Sequence, residues 1–104
     1  MRARPRIDDT QRDIIAALRA AGYLVQILAS VGGGVPDLLV GCPWGELVLV
    51  EAKNRSGKGL KLTPAQEKWH AAWRRFPVFV AEDAFQALQL LQRRRDMLDR
   101  VGAV

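Results

Sequence analysis

The run DLLVGCPWGELVLVEAK, residues 37–53, constrains the fold more than any other part of the chain. Two aliphatic segments are separated by only Pro43, Trp44 and Gly45, so the short solution is an antiparallel hairpin. Pro43 suits the first position of a type I turn, and Gly45 suits the left-handed position that closes a three-residue loop. With that loop Cys42 stands opposite Glu46. Counting outward pairs Gly41 with Leu47, Leu39 with Leu49, and Asp37 with Glu51. A loop one residue longer or shorter would put Asp37 on the other face from Glu51.

The flanking segments complete an alternating pattern. Asp8, Asp9 and Thr10 offer capping oxygens to a first helix carrying Ile14, Ile15, Leu18 and Ala21 at helical spacing. YLVQILAS, residues 23–30, reads as a strand, and the VGGGVP run breaks it. After the hairpin comes a basic, glycine-punctuated stretch, KNRSGKGLK. Thr63 and Pro64 then open a second helix as N-cap and first residue, with Ala65, Trp69, Ala72 and Trp73 or Phe76 as its apolar stripe. PVFVA, residues 77–81, is a short strand, and Asp83 caps a last helix bearing Phe85, Leu88, Leu91 and Leu98. The predicted order is α-β-β-β-α-β-α, an α/β fold with a mixed sheet flanked by helices. Its 104 residues are expected to form one domain, 1–104, large enough to bury a core without disulfides.

Composition narrows the partner. A net charge of +5 and a pI near 10.1 point to a polyanion, because neutralised phosphates release counterions. The single Cys42 forms no internal disulfide, and no Cys/His group has zinc spacing. No apolar run approaches the roughly 18 residues that a membrane span needs. MRARPRIDD lacks the apolar core of a signal peptide, so an intracellular, cytoplasmic protein is expected.

The chemistry gathers at the far end of the hairpin. Side chains alternate along a strand, so Glu51 and Lys53 share a face with Leu47 and Leu49, and the register adds Asp37 to it. Opposed Cβ atoms lie about 4.5–5.5 Å apart, where like charges destabilise a sheet. Two carboxylates so close call for a cation. Lys53 supplies one charge, and a divalent metal would supply the rest. Mg²⁺ takes one or two protein carboxylates and keeps water for substrate phosphates. Such an ion can ligate a scissile phosphate oxygen and acidify water, while Lys53 orients that water or offsets charge on the phosphorane. The expected reaction is phosphodiester hydrolysis.

These residues also carry a resemblance. PD at 36–37 followed by EAK at 51–53 resembles the PD-(D/E)XK nuclease signature. GGGVPDLLV, LVLVEAKN and GKGLKLTPAQEKW together resemble the virus-type replication-repair nuclease family, VRR-NUC, in its small stand-alone, phage-like form. The resemblance runs from the first helix to about Trp69. It implies a restriction-endonuclease-like fold with Asp37, Glu51 and the Ala52 carbonyl as ligands of Mg²⁺ or Mn²⁺. Lys53 would be the catalytic lysine, and Gln66 the glutamine that such nucleases carry on the next helix. Relatives often add an acid from the first helix. Gln11 stands where that acid is expected, leaving Asp8, Asp9 or Asp13 as substitutes or the second metal position empty. The resemblance further implies DNA as partner, no small-molecule cofactor, a phage or bacterial setting, and a homodimer whose two sites suit paired nicks in branched DNA such as a four-way junction.

Several residues have plainer readings. Gln66 also fits a capping box with Thr63, so local physics accounts for it without catalysis. His70, the only histidine, reads as a surface or half-buried residue. Trp69 and Trp73 read as packing, and RRR at 93–95 as a solvated helix face. Arg55, Lys58 and Lys61 lie beside the expected site and suit backbone phosphates, while Gly33 and Gly34 would let duplex approach closely. Charge alone also fits a non-catalytic DNA-binding module, or an RNA-directed nuclease or binder.

Overall fold

A computed structural model describes residues 8–53 and 61–102. The chain runs through α1 (Asp9–Ala20), β1 (Leu24–Ile27), β2 (Leu38–Gly41), β3 (Leu47–Ala52), α2 (Pro64–Ala72), β4 (Val78–Ala81) and α3 (Ala84–Arg100). The four strands form one mixed sheet in sequential order, with β1–β2 and β2–β3 antiparallel and β3–β4 parallel. A parallel pair needs a crossover, and α2 lies on it.

The hairpin folds in the expected register. Gly41 faces Leu47 and Leu39 faces Leu49. The turn closes with the Gly45 amide donating to the Cys42 carbonyl at 2.9 Å and the Cys42 amide donating to Glu46 at 2.8 Å. Gly45 has φ +92°, a conformation that a side chain would strain. β1 is shorter than its eight-residue sequence pattern. After Ile27 the Leu28 amide still donates to the Asp37 carbonyl at 2.7 Å, but Val31 then turns back onto Leu28 and the strand ends.

The two faces of the sheet differ. Leu38, Val40, Val48 and Val50 point into the core, against Ile14 and Leu18 of α1 and Ala87 and Leu91 of α3. Caps fix the starts of all three described helices: Asp8 accepts from Gln11 in α1, Thr63 from Gln66 in α2 and Asp83 from Gln86 in α3. The opposite face carries Leu39, Leu47, Leu49 and Glu51, and α2 covers it incompletely. Leu24 and Leu47 stay 77% and 66% exposed.

The α2 stripe corrects a sequence expectation. This nine-residue helix buries none of its side chains. Ala65 and Ala72 face solvent, and Phe76, just beyond the helix, is 57% exposed. Trp69 and Trp73, one turn apart, stack on each other instead, with ring centroids 5.1 Å apart. Trp73, Phe76 and Pro77 rim a shallow cavity of about 140 Å³ over Leu39, Leu47 and Leu49. Phe85 likewise points outward from the first turn of α3, and Ala87 takes the core position. A periodic stripe records amphipathicity, not the partner that it meets.

Arg93 and Arg95 lie on a solvated helix face as expected, while Arg94 is partly buried and two of the three arginines make contacts within the protein. Arg94 makes a forked pair with the Glu46 carboxylate, and the Arg95 guanidinium lies 5.6 Å from the Trp44 ring centre. Trp44 meets Tyr23 edge-on at 5.9 Å. The tip of the hairpin is thus clamped to α3. No helix among the described residues is long and apolar enough to cross a membrane.

Candidate active site

The next step of the β2–β3 register sets Asp37 across from Glu51, at the end of the sheet farthest from the Pro43–Gly45 turn. Asp37 is held twice. Its backbone carbonyl takes the Leu28 amide, and its Oδ2 accepts from the Ala52 amide at 2.8 Å. Buried Pro36 immediately precedes it. Glu51 is only 2% exposed although it carries a carboxylate. β3 is bonded on both edges, to β2 and to β4, so the backbone under Glu51 is fixed.

Gln66 reaches the same place from α2. Its Oε1 accepts from the Thr63 amide at 2.9 Å while Thr63 Oγ1 accepts from the Gln66 amide at 3.2 Å, completing the capping box. The acceptor end being used, the amide nitrogen is left free to donate, and Nε2 donates to Glu51 Oε2 at 3.1 Å. The two sequence readings of Gln66 are therefore compatible: cap and site contact occupy opposite ends of one amide.

Gly34 makes that reach possible. A Cβ there would stand 2.3 Å from the Ala65 carbonyl oxygen and 3.0 Å from the Gln66 nitrogen, and its φ is +84°. The loop before Asp37 thus packs backbone to backbone against the start of α2. The close approach at Gly34 is to the protein's own helix. A Cβ added at Gly33 would meet nothing within 4 Å. No sequence signal distinguishes these neighbouring glycines, because the contact crosses from one loop to a helix thirty residues on.

The remaining expected residues distribute unevenly. Lys53 follows β3, half-buried, and its amide donates to Ala81 at 2.9 Å. Ala52 contributes its amide to Asp37, a role that the ExK pattern does not convey. Lys61 is exposed ahead of α2. Arg55 and Lys58 lie outside the described residues. On α1, Asp8 serves as N-cap, Asp9 pairs with Arg12 at the surface at 3.4 Å, and Asp13 is exposed. Gln11 is buried, with its Nε2 lacking a partner among the described residues.

Electrostatics reflect the crowding. Burial pushes the Glu51 carboxyl up to about 8; the neighbouring Asp37 carboxylate pushes the same way, and Lys53 opposes them. Glu51 Oε1 is buried without a partner. A buried carboxylate oxygen beside a second carboxylate is what a hard cation satisfies, so the residues present fit a divalent metal. Among the described residues no three His, Cys, Asp or Glu side chains gather as a ligand set. A cation here would rest on Asp37, Glu51, a backbone carbonyl such as that of Ala52, and water, which is the habit of Mg²⁺.

No family model matches the chain, and no curated protein matches it significantly. Among solved structures it is similar to one described as a VRR-NUC domain. The two share 32% sequence identity over 80% of this chain and 90% of the other, with a TM-score of 0.64.

Proposed function

The chain belongs to the VRR-NUC family of nuclease domains, and from that premise we propose that it is a Mg²⁺- or Mn²⁺-dependent DNA endonuclease, selective for branched DNA and working as a homodimer. The observation that carries the reading is the Asp37–Glu51 pair, two facing carboxylates at the end of the β2–β3 ladder, with one Glu51 oxygen buried and unpartnered among the described residues.

Asp37 and Glu51, with the Ala52 carbonyl, would hold the metal. When bound, a divalent ion supplies positive charge that polarises the scissile phosphate and acidifies water. The chain's own residues do the rest. The Ala52 amide and the Leu28 amide orient Asp37, and Gln66 orients Glu51. Lys53 stands one strand position past Ala52, where its ammonium can direct the attacking water or offset charge on the pentavalent phosphate. Lys61, with Arg55, Lys58 and Gly33, contributes contacts to the DNA backbone, which position substrate without reading bases.

The dimer reading draws support from the uncovered apolar face around Leu24, Leu47, Trp73 and Phe76. Two copies joined there would each bring one site to a branched substrate. The test incubates labelled linear, flap and four-way DNA with protein and Mg²⁺ or Mn²⁺, beside Lys53→Ala and an EDTA control. Metal-dependent cutting of branched DNA by the wild type alone supports the proposal. Binding without cutting at high protein concentration would leave a DNA-binding module in its place, and preference for matched RNA would redirect the substrate. Sedimentation at working concentration decides the dimer.

A further inference from the structure

We propose that the groove between α3 and the hairpin tip binds an unpaired single strand of the DNA substrate, stacking a base on Phe85 and holding phosphates with Arg93 and Arg95. That role rests on the DNA substrate proposed above.

The groove has a volume of about 600 Å³. One wall is a single stripe of α3, because Phe85, Leu88, Gln89, Gln92 and Asp96 recur at helical spacing. The other wall includes Tyr23, Pro43 and Trp44. From Phe85 to Asp96 the helix rises about 16 Å. The chain passes from Ala81, paired with Ala52, through the Asp83 cap to Phe85, so one end of the groove lies at the active-site end of the sheet. The other end reaches the hairpin tip. A strand leaving the site can therefore follow α3. None of Leu24, Leu47, Trp73 and Phe76 lines the groove, so it is separate from the apolar surface assigned to the dimer.

The side chains match an unpaired nucleotide. Phe85 is 72% exposed on the first turn of α3, where it contributes little to the core. An aromatic face presented this way can stack on any base whose own face is free, and bases inside a duplex have none. Arg93 is exposed and forms no ion pair among the described residues. The Arg95 guanidinium lies 5.6 Å from the Trp44 ring centre and 4.0 Å from Asp99, contacts that hold its charge at the groove. Asp96 is the one acid on the lining among the described residues, and Gln92 donates to it at 3.1 Å. Two arginines outweigh it, in a chain of net charge +5. Cations beside an exposed ring suit a ligand that carries both phosphates and bases, not a purely apolar peptide.

The test measures binding without turnover. A fluorescein-labelled oligothymidylate and a blunt duplex are titrated in Ca²⁺ against wild type, Phe85→Ala and Arg93→Ala, with anisotropy as the readout. Phe85→Ala should weaken single-strand binding by about 5-fold or more, the loss of one stacked base. Its duplex affinity and melting temperature should stay as in the wild type, and Phe85→Trp should restore the single-strand affinity. Arg93→Ala should flatten the dependence of log affinity on log salt by about 0.7 for the single strand, the loss of one phosphate contact. Equal losses on single strand and duplex overturn the assignment. So does a single strand that binds wild type and both variants alike, which leaves the groove to another occupant such as an acidic peptide. A protein that cuts no DNA with any metal refutes the nuclease reading, and these binding comparisons still decide the groove.

Discussion

Gln66 binds at both ends of its amide, closing the cap on Thr63 through Oε1 and donating to Glu51 Oε2 through Nε2. Gln66→Ala should cost about 1–2 kcal/mol of stability, the usual loss for a cap and a neighbouring hydrogen bond. Cleavage should fall by more than that loss explains. Gln66→Glu keeps the cap acceptor but sets a third carboxylate beside Asp37 and Glu51. It should destabilise the metal-free protein and regain stability with Mn²⁺. Thermal unfolding and cleavage rates on both variants separate the two roles, and a loss of activity strictly proportional to stability would leave only the cap.

The raised Glu51 pKa makes stability depend on pH. The folded protein holds this proton more tightly than the unfolded chain, where the carboxyl titrates at 4.5 against about 8 when folded. The contribution is therefore complete below about pH 4.5 and is lost as pH rises through about 8. Glu51→Gln removes that titration. In EDTA, urea unfolding should show the variant gaining on the wild type between those pH values and matching it most nearly in acid. A variant less stable than the wild type at pH 8 would contradict the burial and repulsion assigned to Glu51.

Gly34 and Gly33 offer a paired experiment. Both have positive φ, but only Gly34 has backbone in the path of a Cβ. Gly33→Ala should cost about 1 kcal/mol for the left-handed conformation. Gly34→Ala adds the clash with Ala65 and should cost about 2–4 kcal/mol. It should also depress cleavage, because relief of the clash lifts Gln66 from Glu51. Denaturant unfolding of the two variants measures the difference.

Lys53 has no ion pair among the described residues, so its loss should be nearly silent in the fold. Lys53→Ala should change stability by no more than about 1 kcal/mol, the scale of a half-buried side chain without an ion pair. Cleavage should vanish while most DNA affinity remains, read by gel shift in Ca²⁺. Near-normal turnover would contradict the role given to this residue.

Much of the fold was legible because local chemistry and pattern agreed. Pro43 and Gly45 set the loop length, alternation set the faces, and together they specified the register that brings Asp37 to Glu51. Asp8, Thr63 and Asp83 announced the helix starts. Features that depend on which element crosses which were not legible. The Trp69–Trp73 stripe looked like core, yet its length and placement leave it on an open sheet face. The Gly34–Ala65 contact and the orphan nitrogen of His70 both arise from the β3–α2–β4 crossover, and no spacing in the chain encodes where that crossover returns.

β3 sits inside the sheet, laddered to β2 on one side and β4 on the other. The two facing carboxylates therefore have no easy backbone route by which to drift apart. Their repulsion is relieved by taking up something positive, and near neutral pH the candidates are a proton or a cation. On the metal-dependent function proposed above, loading the site would release hydrogen ions. Its calorimetric heat of metal uptake should then track the ionisation enthalpy of the buffer around it.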